Sequence, residues 1–173
     1  MDEGLILRIA VDDRQALEIL YRETSTSVYG FVLSIVRNSH IAEDIMQETY
    51  LKIYTSAKGY RPQGKPLAWM LTIARNLSLM KLREKEASNI PLEPDWGAAR
   101  TDGGHEKTLD RMVLETAMQI LSDEERQIMI LHDVSGMKHR EIADIMSIPL
   151  PTVLSKYRRA LSKLRKQIKG ETR

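Results

Sequence analysis

The pentapeptide SIPLP, Ser147 to Pro151, tolerates very few backbones around it. Pro149 pushes Ile148 out of the helical region, so a helix arriving from the N-terminal side must stop there. Pro151 has the φ angle that a first helical turn uses, and its missing N–H has no partner to lose at that position. The apolar spacing on either side agrees. Ile142, Ala143, Ile145 and Met146 mark the dry face of a helix over about 139–147. Val153, Leu154, Tyr157, Ala160, Leu161, Leu164 and Ile168 fall within an arc of roughly 120° on a second helix. A stop and a start so close together force the two helices to cross steeply, as in a helix-turn-helix.

The second of these helices is strongly basic away from its dry face. Lys156, Arg158, Arg159 and Lys163 can neutralise phosphates, while Thr152 and Ser155 near its start can reach base edges. From Leu154 onward, eight lysines and arginines stand against Glu171 alone. That segment carries +7 within a chain of net charge +2, so the remainder carries −5. A basic block on an acidic remainder suggests one surface for a polyanion and other surfaces for other partners.

The 173 residues suffice for one ordinary domain or two small ones. Hydrophobic residues make up 42% and aromatics only 5%, and the Leu, Ile, Met and Ala content favours helices over a sheet. Residues 87–107, with two prolines and three glycines, lack helical periodicity and read as a linker. The expected organisation is therefore all-α: a helical domain over 1–86, a linker over 87–107 and a helix-turn-helix domain over 108–173. In the first domain, a helix is expected over 14–36, with the TSTS run at 24–27 as its weakest point. A second starts after Asn38 or Ser39 with Ala42, Ile45, Met46, Thr49 and Ile53 inward, and a third starts at Pro66. In the last domain, 108–121 is amphipathic, and Ser122 with Glu125 forms a capping-box pattern for a helix ending near Gly136.

Enzyme chemistry finds little support. There is no cysteine, the four histidines lack metal-ligand spacing, and no glycine-rich phosphate loop or nucleophile motif is present. No metal or cofactor is expected. The acidic start MDEGLILRIAVDD is unlike a signal peptide, and no apolar run has the length of a membrane span. A cytoplasmic protein without membrane insertion is the expectation.

Three stretches, in order, resemble the extracytoplasmic-function (ECF) sigma factors. AEDIMQETYLKIY resembles region 2.2, PLAWMLTIARNLSLMKLR resembles regions 2.3 and 2.4, and the segment from Leu121 to Lys166 resembles region 4. The resemblance implies a dissociable subunit of bacterial RNA polymerase that binds the β′ clamp and the β flap and directs the core enzyme to promoter DNA. It further implies an anti-sigma factor as a partner. Asp44, Gln47, Glu48 and Leu51 form a stripe away from the core stripe of their helix and match the clamp-binding positions. The resemblance places Tyr60, Arg61, Gln63 and Lys65 in the loop with which the family holds an unstacked −10 base, and Arg75, Asn76 and Arg83 could hold the phosphates of the separated strand. Thr152, Ser155, Lys156, Arg158, Arg159 and Lys163 match the −35 reader. Met80 stands where the family commonly has Asp, and PTVLSK where it commonly has GTVKSR, so Leu154 replaces a usual lysine. The rival reading is a conventional helix-turn-helix regulator that binds operator DNA without polymerase. It gives no reason for an acidic docking helix followed by a basic strand-holding helix.

Overall fold

The structure is a computed structural model, and residues 2–96 and 119–170 are described. The greater part of the expected linker (97–107), His105 within it, and 108–118 of the amphipathic stretch lie outside the described residues, as does the side chain of Ile168. The described secondary structure is helical, in keeping with the all-α expectation. The chain divides into two compact units, 1–95 and 96–173.

In the first unit, α1 (Gly4–Ala10) precedes α2 (Arg14–Val36), α3 (Ser39–Ser56), a 3-10 turn (Ala57–Gly59) and α4 (Pro66–Ala87). Helices α2, α3 and α4 each pack against the other two, and α1 lies on α2 and the 3-10 turn. Phe31, Leu20, Ile45, Ile53, Met70 and Leu71 fill the centre. Only two residues join α2 to α3. Arg37 takes a left-handed conformation (φ 54°) and closes α2, and Asn38 returns to extended backbone and caps α3 by accepting from the Ile41 N–H. Asp95 is tied to this joint. Its carbonyl accepts from the Ser39 N–H at 2.8 Å, and its own N–H donates to the Arg37 carbonyl at 2.8 Å. The first residues after α4 therefore belong with the first unit, where the sequence suggested a loose connection.

The TSTS run does not break α2. Thr24 is buried and donates its hydroxyl to the Leu20 carbonyl at 2.6 Å. With that proton committed, the Tyr50 hydroxyl must be the donor in the 2.7 Å contact between Tyr50 Oη and Thr24 Oγ1. Burial pushes the Tyr50 phenol up to about 12 despite the bond to Thr24. The polar run thus serves as the acceptor for a buried tyrosine on the neighbouring helix.

In the second unit, α5 (Asp123–Met129) continues into a π-helical turn (Ile130–Val134), followed by α6 (His139–Met146) and α7 (Leu150–Ile168). Ser122 caps α5 as expected: its hydroxyl accepts from the Glu125 N–H, and the Glu125 carboxylate accepts from the Ser122 N–H. Gly136 turns the chain with φ +67°, a conformation an L side chain would strain. Ser147 closes α6 in the left-handed region, and Pro149 is the N-cap of α7 with Pro151 in its first turn. Helix α7 therefore starts one residue earlier than Pro151. Both α5 and α6 pack on α7. Ile142, Ile145, Met146, Val153 and Ala160 are buried, whereas Ala143, Tyr157, Leu161 and Leu164 are half-buried.

Thr24→Val keeps the shape of the site but leaves the buried Tyr50 hydroxyl without its acceptor. A loss of about 1–3 kcal/mol is expected, read from urea unfolding of the full chain, with Thr24→Ser close to the parent.

Candidate nucleic-acid interface

On α3 the buried residues Ala42, Ile45, Thr49 and Ile53 form one stripe, to which Tyr50 adds. Met46, expected in that stripe, is half-buried. Asp44, Gln47 and Glu48 are exposed on the other side, and Leu51 is 67% exposed. A large apolar side chain held in solvent beside two carboxylates and an amide has no use in the packing of its own unit. Such a combination suits a protein partner that covers the leucine and offers cations to its neighbours.

The loop between the 3-10 turn and α4 is shaped, not slack. The Tyr60 ring meets Trp69 at 4.8 Å between centroids, and its hydroxyl donates to Glu3. Burial, then the bond to Glu3 and the charge of that carboxylate, push the Tyr60 phenol up to about 12. Gly64 turns the chain with φ +70°. Arg61, Gln63 and Lys65 are exposed around it. On α4, Met70, Leu71, Ala74 and Ser78 are buried, Leu67 and Leu77 are half-buried, Arg75 is half-buried, and Asn76 and Arg83 are exposed. Loop and helix together offer cations and amide groups next to an aromatic pair. Those are the groups that hold an unpaired nucleotide by its phosphate, edge and face.

Little in the sequence marks α1. Leu5, Ile6 and Ile9 are buried at helical spacing, but seven residues are too few for a periodicity to stand out. No local pattern marks Glu3 either, although its carboxylate binds the 60–64 loop.

On α7, Ser155, Arg158 and Arg159 are exposed and Thr152 is half-buried, all along the side away from Val153 and Ala160. Leu154, at the edge of the dry arc, is 36% exposed. Lys156 and Lys163 are differently disposed from the other cations. Lys156 pairs with Glu124, and Lys163 donates to Glu125 Oε2 at 2.7 Å. Glu125 is only 1% exposed. Its burial raises the carboxyl pKa, but hydrogen bonds from Lys163 and Ser122 and the lysine charge outweigh this and leave it net lowered from 4.5. The two lysines thus fasten α7 to α5, which the one-dimensional wheel could not indicate.

Beneath the helix-turn-helix lies an aromatic cluster. His132 and His139 stack at 4.2 Å, and Tyr157 meets both rings edge-on at 4.9 and 5.0 Å. His132 Nδ1 contacts the Met137 carbonyl at 2.8 Å, and the Tyr157 hydroxyl donates to Asp133 at 3.1 Å. His139 Nε2 is buried and finds no hydrogen-bond partner among the described residues. Burial, followed by the neighbouring His132, lowers the His139 pKa, with Asp133 opposing. This cluster joins the π-helical turn and the start of α6 to α7. Among the described residues, no group of three or more histidines, aspartates or glutamates could hold a metal ion.

Family models match both units: Sigma-70 region 2 over residues 20–87 and Sigma-70 region 4 over residues 111–164. The ECF RNA polymerase sigma factor SigK of Mycobacterium ulcerans is 32% identical over 171 residues, which covers 94% of this chain and 90% of the relative. The chain belongs to the ECF sigma factors. SigK of Mycolicibacterium vanbaalenii is 27% identical, covering 95% of this chain and 87% of its own. Two solved structures share the fold. CnrH, in complex with the cytosolic domain of CnrY, superposes with a TM-score of 0.71 at 17% identity and 99% coverage of both chains. The sigma factor RpoE of Bartonella quintana, in complex with the anti-sigma factor NepR, gives 0.73 at 23% identity, covering 91% of this chain and 97% of its own. The region 2 match thus falls within the first unit of a transcription initiation factor and the region 4 match within the second, and the conventional-regulator reading falls away.

Two measurements test the Lys163–Glu125 and His139 contacts. Lys163→Ala leaves the buried Glu125 carboxylate without its counter-charge. It should cost about 1–3 kcal/mol in urea unfolding, less than a fully enclosed pair because the lysine reaches solvent. The second is pH dependence. The unfolded His139 imidazole takes its proton near 6.5, the folded one only at lower pH. Its contribution is full above 6.5 and is lost as pH falls through the folded value. Glu125 acts in the same sense in a lower window, below 4.5. Amide exchange in α7 should therefore accelerate as pH falls below 6.5 once intrinsic exchange is corrected for, and His139→Phe should flatten that first step.

Proposed function

We propose that this protein joins core RNA polymerase through the Asp44, Gln47, Glu48 and Leu51 face and reads promoters with two separate surfaces. The loop residues Tyr60, Arg61, Gln63 and Lys65, with Arg75, Asn76 and Arg83 on α4, take the −10 element in its opened form. Thr152, Ser155, Arg158 and Arg159 on α7 take the −35 element. Lys156 and Lys163 contribute positive potential to that surface while holding α7 in position. The observation that carries the reading is the solvent-exposed Leu51, on the same outward stripe as Asp44 and Glu48 of a helix whose opposite face is the core of its own unit. An operator-binding regulator makes no use of that face.

The protein acts without catalysing a reaction itself: the polymerase supplies the chemistry, and the factor supplies binding free energy for the correct DNA. It works in the cytoplasm, where the polymerase and the chromosome are. None of the described helices is long and apolar enough to cross a membrane. By analogy with the complexes that CnrH and RpoE form, a polypeptide anti-sigma factor covers these same faces and keeps the protein from core polymerase.

Run-off transcription with bacterial core polymerase tests the proposal. Starts that depend on the protein are expected, and their absence alongside tight palindrome binding by the protein alone would overturn it. Leu51→Asp should weaken binding to core polymerase about tenfold or more, read by fluorescence anisotropy, without unfolding the chain. Arg158→Ala should weaken promoter binding by the holoenzyme and lower the slope of log affinity against log salt by about one.

A further inference from the structure

One carboxylate oxygen does more than its position near the chain start would suggest. Glu3 Oε1 accepts the Gln63 N–H at 2.8 Å, the Gly64 N–H at 3.0 Å and the Tyr60 hydroxyl. The two consecutive N–H groups converge because Gly64 is left-handed, which forms a small anion-binding concavity of backbone. The Glu3 carbonyl accepts from the Ile6 and Leu7 N–H groups of its own helix, but its side chain takes no part there. It makes no side-chain cap bond, and the Gly4 N–H is taken by Asp2 at 2.8 Å. Helix α1 itself is anchored by the buried Leu5, Ile6 and Ile9. The acid is therefore a rigidly mounted post whose side chain is spent wholly on the loop.

We propose that Glu3 is a positioning residue for −10 recognition: it holds the 60–65 loop in the shape that receives the unpaired base. This inference rests on the reading of that loop as the −10 reader. The charge favours the arrangement, since a carboxylate accepts from N–H and O–H donors more strongly than a neutral oxygen does. The bond to Tyr60 Oη also holds the phenol beside Trp69. The exposed side chains of Arg61 and Gln63 then start from a backbone that is already in place, and less ordering is required when DNA arrives. Without Glu3, two backbone N–H groups and a phenol lose their common acceptor, and the loop has no other tie to α1 among the described hydrogen bonds.

The test uses the full-length protein assembled with core polymerase. Promoters randomised across the −10 element are transcribed and the products sequenced, and 2-aminopurine in the −10 element reports unstacking. Glu3→Ala should reduce discrimination among −10 sequences about three- to tenfold and reduce the fluorescence rise, with −35 preference and core affinity unchanged. Glu3→Gln, whose amide oxygen can still accept, should recover part of the discrimination. Tyr60→Phe, which removes one of the three bonds without touching α1, should give a smaller loss in the same direction and covers the case of a poorly folded Glu3→Ala. Unchanged −10 discrimination in Glu3→Ala, with a loss in Arg61→Ala and Gln63→Ala, would overturn the inference and leave the loop reading intact. No effect from the two loop variants would overturn the loop reading and the inference together. A uniform gain of transcription in Glu3→Ala would also overturn the inference, since the carboxylate would then be competing with DNA.

Discussion

The Glu125 carboxylate is the joint on which region 4 depends. One oxygen completes the capping box at the start of α5 and receives the Lys163 ammonium from α7. A buried charge is costly unless it is paired and hydrogen-bonded, and here it is both. The arrangement links the helix start, which fixes where α5 begins, to the flank of α7, which fixes where the basic face points. With α6 held from the other side by the His132, His139 and Tyr157 cluster, α7 has little freedom to roll. The exposed Ser155, Arg158 and Arg159 inherit their direction from these contacts.

Region 2 obtains comparable definition by other means. Its three long helices are joined by connections that leave little choice: a left-handed Arg37 and a capping Asn38 between α2 and α3, and a 3-10 turn after α3. The core needs only one stripe from each helix. That frees the outward stripe of α3 and the outer side of α4 for other purposes. Buried polar groups such as Thr24 with Tyr50 and Ser78 with the Ala74 carbonyl have partners, so they add definition at little cost.

Much of this was legible in the sequence because it depends on local rules. The bounds of α2 follow from spacing alone, the Asn38 cap and Pro66 start from side-chain chemistry, and the turn at 147–151 from proline sterics. Arg158 and Arg159 could be placed on an outer face by the helical period. Lys156 and Lys163 could not be told apart from them, because their difference lies in glutamates on a helix some thirty to forty positions earlier. Likewise Asp95 read as part of a loose linker, since nothing local shows that its backbone pairs with Arg37 and Ser39.

By itself the sequence determined an all-α chain of two small units, the placing of its turns, and which helical faces are dry. Those follow from periodicity, capping and proline geometry, all of which act over a few residues. The tertiary structure alone decided which charged groups are committed to the fold and which remain for partners. Glu3 is the plainest case: an acid at the third residue meets a loop some sixty residues later only because α1 packs beside the 3-10 turn. Hydrogen bonds and ion pairs depend on distances of about three ångströms, and a sequence pattern does not set those distances across separate elements.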